Sequence, residues 1–329
     1  MQFRKSISVV IPNYNGKKLL ELYLPSVFAA LNFQDIEYEV IVIDDASHDD
    51  SMLFLQANYS TIKLLQNEVN SGFSKTINKG IFSAKNELIL LLNSDVKLEP
   101  DYFLEQFKYF KNPAAYGVMG RIMNFDGQKI EDAARLLVHK GFKFKANKFY
   151  YSENKNDEVF TAYLSGANAL VDRKKIQELG GFDEIYSPFY FEDFDLGLKA
   201  WKMGWICFYE HQSVCYHKVS ATTNNMKKSN LVKIIYHRNS YILQSIHLKG
   251  LQKQIYLIQI IFNSVLLSLL RGDFWILKSY TSFLKMNAQI NESILNLKQL
   301  QLQKNSAIEI LDIKKIISKS ILHKTVKWL

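Results

Sequence analysis

Short apolar runs alternate with amphipathic stretches along the first hundred residues. The apolar runs are ISVVIP, EVIVID, IKLLQ and LILLLN. Each is followed by a stretch with apolar residues at helical spacing, and these stretches cover residues 19–31, 51–57, 74–84 and 101–110. Alternation of this kind is typical of a mostly parallel sheet with helices on both faces. The pattern therefore predicts an α/β fold.

One apolar run, in LILLLNSDV, is unbroken from Leu88 to Leu92 and then ends in Asn93, Ser94 and Asp95. A run without polar alternation predicts a strand buried on both faces. In open α/β sheets, ligands bind beyond the carboxyl ends of the strands. The polar residues at these four strand ends are Asn13, Asn15, Asp44, Asp45, Asn67, Asn70, Asn93 and Asp95. We therefore expect a binding site at this edge of the sheet.

The alternation becomes irregular after about residue 116. GFKFKANKFYY is typical of a hairpin or loop, and SGANALVDRKKIQELGG predicts a strand and then a helix that ends at Gly180. FEDFDLGLKAWKMGW predicts a further helix with Gly204 at its C-terminus. His217 ends another short predicted strand.

Charge and composition change near residue 230. Residues 231–329 hold 14 Lys and Arg against 4 Asp and Glu, whereas residues 1–230 hold 27 against 28, so the net charge of +9 comes from the last hundred residues. We predict an α/β domain over residues 1–229 and a basic, apolar, mostly helical region over residues 230–329. Because the basic residues are interleaved with Ile and Leu, nucleic acid is not an expected partner.

Residues 254–270 carry no charge and are flanked by Lys253 and Arg271. Seventeen residues are at the lower limit for a helix that spans a membrane. A helix lying in the membrane interface, with its basic neighbours on anionic headgroups, is favoured. An ordinary buried helix and a true span remain as alternatives.

The N-terminus and the cysteine content both indicate the compartment of the protein. The N-terminus enters a strand without an apolar signal segment, which favours a cytoplasmic protein. The two cysteines, Cys207 and Cys215, are too few for a disulfide framework or a thiolate metal cluster. We expect both thiols to be reduced and packed.

Three groups of acids are candidates for chemistry. Asp44 and Asp45 close a buried strand, where a carboxylate needs hydrogen bonds, and a base or ribose would supply them. Asp95 at a strand end suits a hard divalent cation on a diphosphate, although Asn-Ser-Asp is also a common turn. Glu192 and Asp193 lie in an aromatic run, where burial raises a carboxyl pKa and favours a general base.

The order of the motifs resembles the inverting family 2 glycosyltransferases of the GT-A fold, in their bacterial polysaccharide and rhamnosyltransferase-like branch. The motifs are SVVIPNYNG, VIVIDDASHDDS, NSGFSKTINKGI, LLLNSDV, SGANALVDRKKIQELGGFDE, FEDFDLGLKAWKMGW and YHKVSATT. The resemblance covers about residues 6–225. Seven motifs in one order are more specific than any one of them.

The resemblance implies a role for each matching residue. Asp193 is similar to the catalytic base, with Glu192 beside it, and Asp95 with His217 is similar to the ligands of Mn²⁺ or Mg²⁺. Asn93 stands where the family has a first acid, which leaves one carboxylate in this turn. The segment at the donor sugar and acceptor is Gly166, Ala167 and Asn168. The residues that resemble the nucleotide site are Pro12, Tyr14, Asn15, Asp44, Asp45, Asn70, Gly72, Phe73, Asn78 and Ser94.

The implied function is transfer of a sugar from a nucleotide-diphosphate sugar to a glycan or lipid-linked acceptor, in synthesis of a cell-surface polysaccharide. The basic C-terminal region adds an expected place, on the cytoplasmic face of the membrane. The alternative is a catalytically silent module that binds sugar nucleotide and membrane.

Overall fold

The computed structural model describes residues 5–218 and 230–329. Its centre is a mixed sheet whose spatial order is β10-β12-β6-β11-β4-β1-β2-β3, with β5 and β7 as short additions. Its strands are β1 (Ile7–Asn13), β2 (Tyr38–Asp44), β3 (Lys63–Gln66), β4 (Leu88–Leu92), β5 (Val96–Leu98), β6 (Ala115–Asn124), β7 (Ile130–Asp132), β10 (Val159–Phe160), β11 (Asn168–Asp172) and β12 (Ile206–His217).

The direction of the strands changes across the sheet. β4, β1, β2 and β3 are parallel neighbours, and β11 then pairs antiparallel with both β4 and β6. The long strand β12 runs parallel to β6, with a register shift between Glu210 and Val214. The α/β fold with a mostly parallel first half is thereby confirmed. The predicted short strand before His217 is in fact twelve residues long.

The unbroken apolar run of β4 lies at the centre of the sheet, between β1 and β11. Leu88, Leu90 and Leu92 belong to the apolar core on one face, and Ile89 and Leu91 belong to the core on the other. All five side chains are buried because helices cover both faces. The strand therefore ends where Asn93, Ser94 and Asp95 leave the sheet.

Five helices accompany the strands of residues 5–218. They are α1 (Lys17–Phe33), α2 (Ser51–Asn58), α3 (Phe73–Ser83), α4 (Arg173–Glu178) and α5 (Glu192–Lys202). Gly180 and Gly204 follow α4 and α5 with φ angles of +83° and +80°, as helix-ending glycines do.

The helix predicted over residues 101–110 is wrong. Residues 101–106 form turns, and a 3-10 helix then runs over Phe107–Lys111. Tyr102, Phe103 and Phe107 are nevertheless buried in the core. Their spacing therefore reflects burial and not an α-helix.

A second, smaller sheet contains the segment predicted as a hairpin. β8 (Ala134–Lys140) and β9 (Lys143–Tyr151) are antiparallel, and β13 (Lys327–Trp328) from the C-terminus adds to β9. The hairpin turn is Gly141 and Phe142, between the facing pair Lys140 and Lys143.

The chain from residue 230 is mostly helical, as predicted. Its helices are α6 (Asn230–His247), α7 (Gly250–Gln259), a π-helical segment (Ile260–Leu266), α8 (Leu267–Leu270), α9 (Trp275–Lys285), α10 (Asn287–Gln303) and α11 (Ile310–Ser320). Apolar side chains from these helices share one core with residues of the central sheet and of α5. Tertiary contacts therefore cross the boundary predicted near residue 230.

A hydrogen bond from His247 to Asp195, beside an ion pair within α5, ties the C-terminal helices to α5. His247 Nε2 lies 2.8 Å from Asp195 Oδ1, and Lys199 Nζ lies 2.7 Å from Asp195 Oδ2. Burial acts against the charge of Asp195, but Lys199 and His247 lower the pKa of Asp195 to about 2. α6 is consequently anchored directly behind the helix that carries Asp193.

The helix over Gly250–Leu270, which joins α7, the π-helical segment and α8, is long and apolar enough to cross a membrane, judged by length and composition. Only 11% of its most apolar 18-residue segment is buried inside the protein. The large apolar side chains it exposes include Leu251, Ile258, Ile261, Phe262, Leu266 and Leu270. An ordinary buried helix is therefore not what the structure shows here.

Candidate active site

Asp44 ends β2 as a fully buried carboxylate. Its Oδ1 accepts a hydrogen bond from Asn13 Nδ2 at 2.9 Å, and its Oδ2 accepts one from the Ser47 N–H at 2.9 Å. The expected need for a ligand to offset the cost of burying Asp44 is therefore wrong, because the protein itself supplies hydrogen-bond partners. Asp44 orders the loop after β2.

Asp45 has more partners than Asp44. Its Oδ1 accepts from Asn67 Nδ2 and from the Ser71 N–H, both at 2.8 Å, and its Oδ2 accepts from the Gly72 N–H at 3.0 Å. These bonds bring the loop after β3 against the end of β2. Any contact of Asp45 with a base would add to bonds already formed.

The ends of β1 and β4 approach each other at Gly16. A Cβ atom at this glycine would lie 2.3 Å from Asn13 Oδ1 and 3.5 Å from Ser94 Oγ. Tyr14 is 43% exposed, and Asn15 adopts a left-handed conformation with φ of +51°. The Asn15 side chain accepts a hydrogen bond from the His48 N–H at 2.7 Å. Pro12, Tyr14, Asn15 and Ser94 thus meet at one edge of the sheet, as predicted for a nucleotide site.

Four residues predicted for the nucleotide site lie in the loop before α3 and in α3 itself: Asn70, Gly72, Phe73 and Asn78. Asn70 is exposed, and Gly72 has a φ of +81° beside Pro188. The Phe73 ring packs edge-on against Phe182.

Asn78 faces the interior instead of the nucleotide edge. Its Oδ1 accepts from the Phe182 N–H and its Nδ2 donates to the Phe182 carbonyl, both at 2.8 Å. Both groups of the amide bind the main chain of Phe182, so Asn78 holds the loop after α4. Its role beside the nucleotide stays a prediction.

Asp95 and His217 are brought together, as the resemblance implies. Asp95 Oδ2 lies 3.5 Å from His217 Nε2, and His217 Nδ1 lies 3.4 Å from Glu131 Oε2. Burial opposes the charge on His217, but hydrogen bonds and the charges of Asp95 and Glu131 raise its pKa. Glu131 was not predicted, because the irregular sequence of residues 120–165 has no motif to mark it.

A divalent cation fits Asp95 by its chemistry. Asp95 Oδ1 is buried and has no hydrogen-bond partner among the described residues, which leaves an oxygen for a hard cation. Within residues 5–218 and 230–329, no group of three or more His, Cys, Asp or Glu side chains forms a metal cluster. An ion held here would need further oxygen ligands from another source, such as a diphosphate.

Glu192 and Asp193 begin α5 beside the Gly166 loop. Asp193 Oδ2 accepts a hydrogen bond from the Gly166 N–H at 3.0 Å, whereas Asp193 Oδ1 and Glu192 Oε2 have no hydrogen-bond partner among the described residues. A Cβ at Gly166 would lie 2.7 Å from Asp193 Oδ1, so a glycine is required for this approach. Burial raises the pKa of both carboxyls, and the charge of Asp193 raises that of Glu192 further.

The backbone before α5 is strained. Tyr190 and Phe191 have φ angles of +76° and +78°, which are unfavourable for aromatic residues. Asn239 of α6 donates hydrogen bonds to the carbonyl oxygens of Phe189 at 2.9 Å and Tyr190 at 3.0 Å. A residue of the C-terminal region therefore holds the loop that presents Glu192 and Asp193.

Arg135 is a further site residue that the sequence does not reveal. Its guanidinium is buried, forms an ion pair with Asp132 and lies 4.1 Å from the centre of the Tyr163 ring. Its charge lowers the pKa of Asp193 against the effect of burial. The Gly166 N–H, which Asp193 also receives, lowers the pKa of Asp193 in the same direction.

Of the segment predicted at the donor sugar, Gly166 is placed beside Asp193 and Ala167 is half-buried next to it. Asn168 is fully buried, and its Nδ2 donates to the Gly120 carbonyl at 3.1 Å. The side chain therefore links β11 to β6, whereas its Oδ1 is buried with no hydrogen-bond partner among the described residues. The role of Asn168 at the donor sugar stays a prediction.

A cavity of about 320 Å³ opens beside the two acids. Its walls come from α5, from β9 and from α6, which contribute Asp193, Lys143 and Tyr236 among others. A larger cavity of about 690 Å³ lies between the loop after α4 and α10, and Asp193 is not among its lining residues. Of these two cavities, the smaller is the one lined by Glu192 and Asp193.

Residues 8–180 match the sequence profile of the family described as Glycosyl transferase family 2. The chain belongs to this family. The N-acetylglucosaminyl-diphospho-decaprenol L-rhamnosyltransferase of Mycobacterium tuberculosis is 25% identical over an alignment of 262 residues that covers 72% of this glycosyltransferase and 83% of the relative. The chain is therefore a sugar-transferring enzyme, as predicted.

Solved transferases share the fold. A structure of GalNAc-T7 with UDP, GalNAc and Mn²⁺ has a TM-score of 0.63 at 14% identity, covering 98% of this glycosyltransferase and 58% of that chain. The mannosyltransferase PcManGT from Pyrobaculum calidifontis, with GDP-Man and Mn²⁺, has a TM-score of 0.54 at 15% identity, covering 97% and 86%. The GT-A fold is thereby confirmed.

Proposed function

We propose that this glycosyltransferase inverts the anomeric centre of a sugar that it transfers from a nucleotide-diphosphate sugar to a hydroxyl of a glycan or lipid-linked acceptor. The observation that carries the proposal is the Asp193 carboxylate. It lines a cavity, one of its oxygens has no hydrogen-bond partner among the described residues, and burial raises its pKa. A carboxylate with these properties is suited to take a proton from a hydroxyl.

In the proposed reaction, Asp193 Oδ1 takes the acceptor proton while the acceptor oxygen attacks the anomeric carbon. The new glycosidic C–O bond forms as the bond to the diphosphate breaks, and the electron pair leaves with the nucleoside diphosphate. One base and one displacement on the opposite face invert the centre. The Gly166 N–H holds the other carboxylate oxygen, so Oδ1 is kept in one orientation.

The nucleotide is assigned to the edge formed by Tyr14, Asn15 and the loop that Asp45 orders. Its diphosphate then lies near Ser94 and Asp95, with Asp95 and His217 as the residues that would hold Mn²⁺ or Mg²⁺. Such a cation, when bound, neutralises the charge on the departing diphosphate. The Mn²⁺ in both similar transferases supports this assignment, as does Asp95 Oδ1, which has no hydrogen-bond partner within residues 5–218 and 230–329.

The acceptor and the location are supported by different observations. The mycobacterial relative is named for a lipid-linked substrate. The exposed apolar helix Gly250–Leu270 belongs to the basic C-terminal region. We propose that the enzyme is peripheral to the cytoplasmic face of the membrane and acts in synthesis of a cell-surface polysaccharide.

The test is a screen of nucleotide-diphosphate sugars for release of nucleoside diphosphate, with and without Mn²⁺. We expect release from at least one donor sugar, dependence on the cation, and loss of release in Asp193→Asn. NMR of the product should show the opposite anomeric configuration from the donor sugar. Binding of a donor analogue with no turnover of any donor would contradict the proposal and favour a catalytically silent binding module.

A further inference from the structure

Three lysines surround the turn of the β8–β9 hairpin. Lys140 and Lys143 face each other across the two strands, and Lys145 is two residues farther along β9, on the same face as Lys143. Like charges in facing positions destabilise a hairpin. In the part of the chain that the structure describes, none of the three forms an ion pair. Burial and the charges of Lys145 and Lys140 lower the pKa of Lys143.

This group of cations lies beside the proposed base. Lys143 and Lys145 line the same cavity as Glu192 and Asp193. The positions of both lysines are set by Gln244 of α6, whose side chain accepts from the N–H of the intervening Phe144 at 3.1 Å and donates to its carbonyl at 2.7 Å. The cavity is thus acidic at one wall and cationic at another.

The cationic wall adjoins the exposed apolar helix. A Cβ at Gly141, in the hairpin turn, would lie 3.3 Å from Gln259 Nε2 in the middle of the Gly250–Leu270 helix. Ser240, which lines the cavity, contacts Tyr256 of the same helix. The lysines therefore lie between the proposed base, Asp193, and the exposed apolar helix Gly250–Leu270.

We propose that Lys140, Lys143 and Lys145 bind a phosphate or diphosphate that joins the acceptor sugar to a membrane lipid, and that the lipid lies along the exposed face of the Gly250–Leu270 helix. A sugar hydroxyl, an anion and an apolar chain are arranged in this order in such a molecule, which matches the order of base, cations and apolar helix. Lysine is a common phosphate ligand. The inference rests on the proposed function, because the cavity is taken to hold the acceptor.

The experiment measures binding of farnesyl diphosphate, a short soluble representative, to the full chain by calorimetry. The double variant Lys143→Gln/Lys145→Gln should raise the dissociation constant about ten-fold or more, as expected for the loss of charged hydrogen bonds. The matched control is Lys148→Gln, an exposed lysine of the same strand that does not line the cavity. It should change the constant less than two-fold, or about the error of the measurement. Farnesol, which lacks the anion, should show no difference between the double variant and the wild type.

Equal binding of farnesyl diphosphate by wild type and double variant would overturn the inference. Phosphatidylglycerol vesicles test a lipid headgroup as the source of the anion. If the double variant weakens vesicle binding more than Lys148→Gln does, while farnesyl diphosphate binding is unchanged, the lysines contact headgroups and the inference is wrong. Slow release of nucleoside diphosphate without acceptor is measured on the wild type and on Lys148→Gln as a separate test of the proposed function. Its absence in the wild type with every donor sugar would count against the proposed function instead.

Discussion

Two groups of buried carboxylates lie in this site, and they differ in what their oxygen atoms contact. Asp44 and Asp45 receive five hydrogen bonds from the protein, through main-chain N–H groups and asparagine amides. Asp95, Glu192 and Asp193 each have a buried oxygen without a hydrogen-bond partner among the described residues. Both groups follow similar sequence patterns, since acids stand at strand ends or helix starts in each.

The difference separates residues that build the site from residues available for chemistry. A buried carboxylate with its donors in place contributes to stability and orders the loops that donate to it. A buried carboxylate oxygen without a donor costs free energy, and this cost is retained where a proton or a cation is to be bound. The first group can therefore be tested by stability and the second by turnover.

The largest expected effect is at Asp193. Asp193→Asn should lower turnover by about a thousand-fold, within the range for removal of a general base. Because burial raises the pKa of Asp193, the charged form destabilises the fold at neutral pH. The variant should therefore unfold at the same or a higher temperature than the wild type, measured by circular dichroism. A large loss of stability would place Asp193 with the first group and contradict the comparison.

Asp45 should show the opposite behaviour. Asp45→Ala leaves the Ser71 and Gly72 N–H groups and Asn67 Nδ2 without their acceptor, and we expect the free energy of unfolding to fall by about 3 kcal/mol. Denaturant unfolding at neutral pH measures this change. The matched control is Asp50→Ala, whose exposed carboxylate should change stability by less than about 0.5 kcal/mol. A stable Asp45→Ala protein that no longer turns over would show that Asp45 acts mainly on ligand.

Asp95 should change the cation requirement. Asp95→Asn removes the charge that a divalent cation prefers, so the Mn²⁺ concentration for half-maximal turnover should rise about ten-fold. Titration of Mn²⁺ into chelator-treated enzyme measures it. Glu131→Gln is the control on the far side of His217 and should shift the requirement less. An unchanged requirement in Asp95→Asn would remove Asp95 from the cation site.

The smallest effect is a shift in the pH profile. The base must be ionised, so activity is lost as pH falls through the raised pKa of Asp193, at a pH above the value of about 3.9 for an ordinary aspartate. Arg135 lowers that pKa, and Arg135→Gln should therefore move the acid limb of the kcat/KM profile up by about one pH unit or less.

A charge-balanced control separates electrostatics from packing. Arg135→Gln with Asp132→Asn removes both members of the ion pair, and its acid limb should return close to that of the wild type. A limb that stays displaced in the double variant would assign the effect to lost packing against Tyr163. Arg135 would then be a structural residue only.

Much of this protein follows from local sequence. The apolar runs predict the parallel strands, and the motif order predicts the family and the GT-A fold. The polar strand ends predict where Tyr14, Asn15 and Ser94 meet, because parallel strands place their carboxyl ends at one edge. One local prediction is wrong, because residues 101–110 form turns and a 3-10 helix and not an α-helix. The segment looks helical in sequence because its buried apolar residues recur at helical spacing.

Only the tertiary structure decides which carboxylates are free. Asp44, Asp45 and Asp193 are the same residue type in the sequence, but most of their donors come from other segments of the chain, such as the Gly166 N–H for Asp193. The parts played by Arg135 and Asn239 are likewise set by packing between irregular segments without motifs. The sequence alone determined the fold and predicted the edge of the sheet where a ligand would bind. Long-range hydrogen bonding decided which acids hold that edge together and which keep an oxygen without a partner among the described residues, because a carboxylate's pKa and partners depend on everything packed around it.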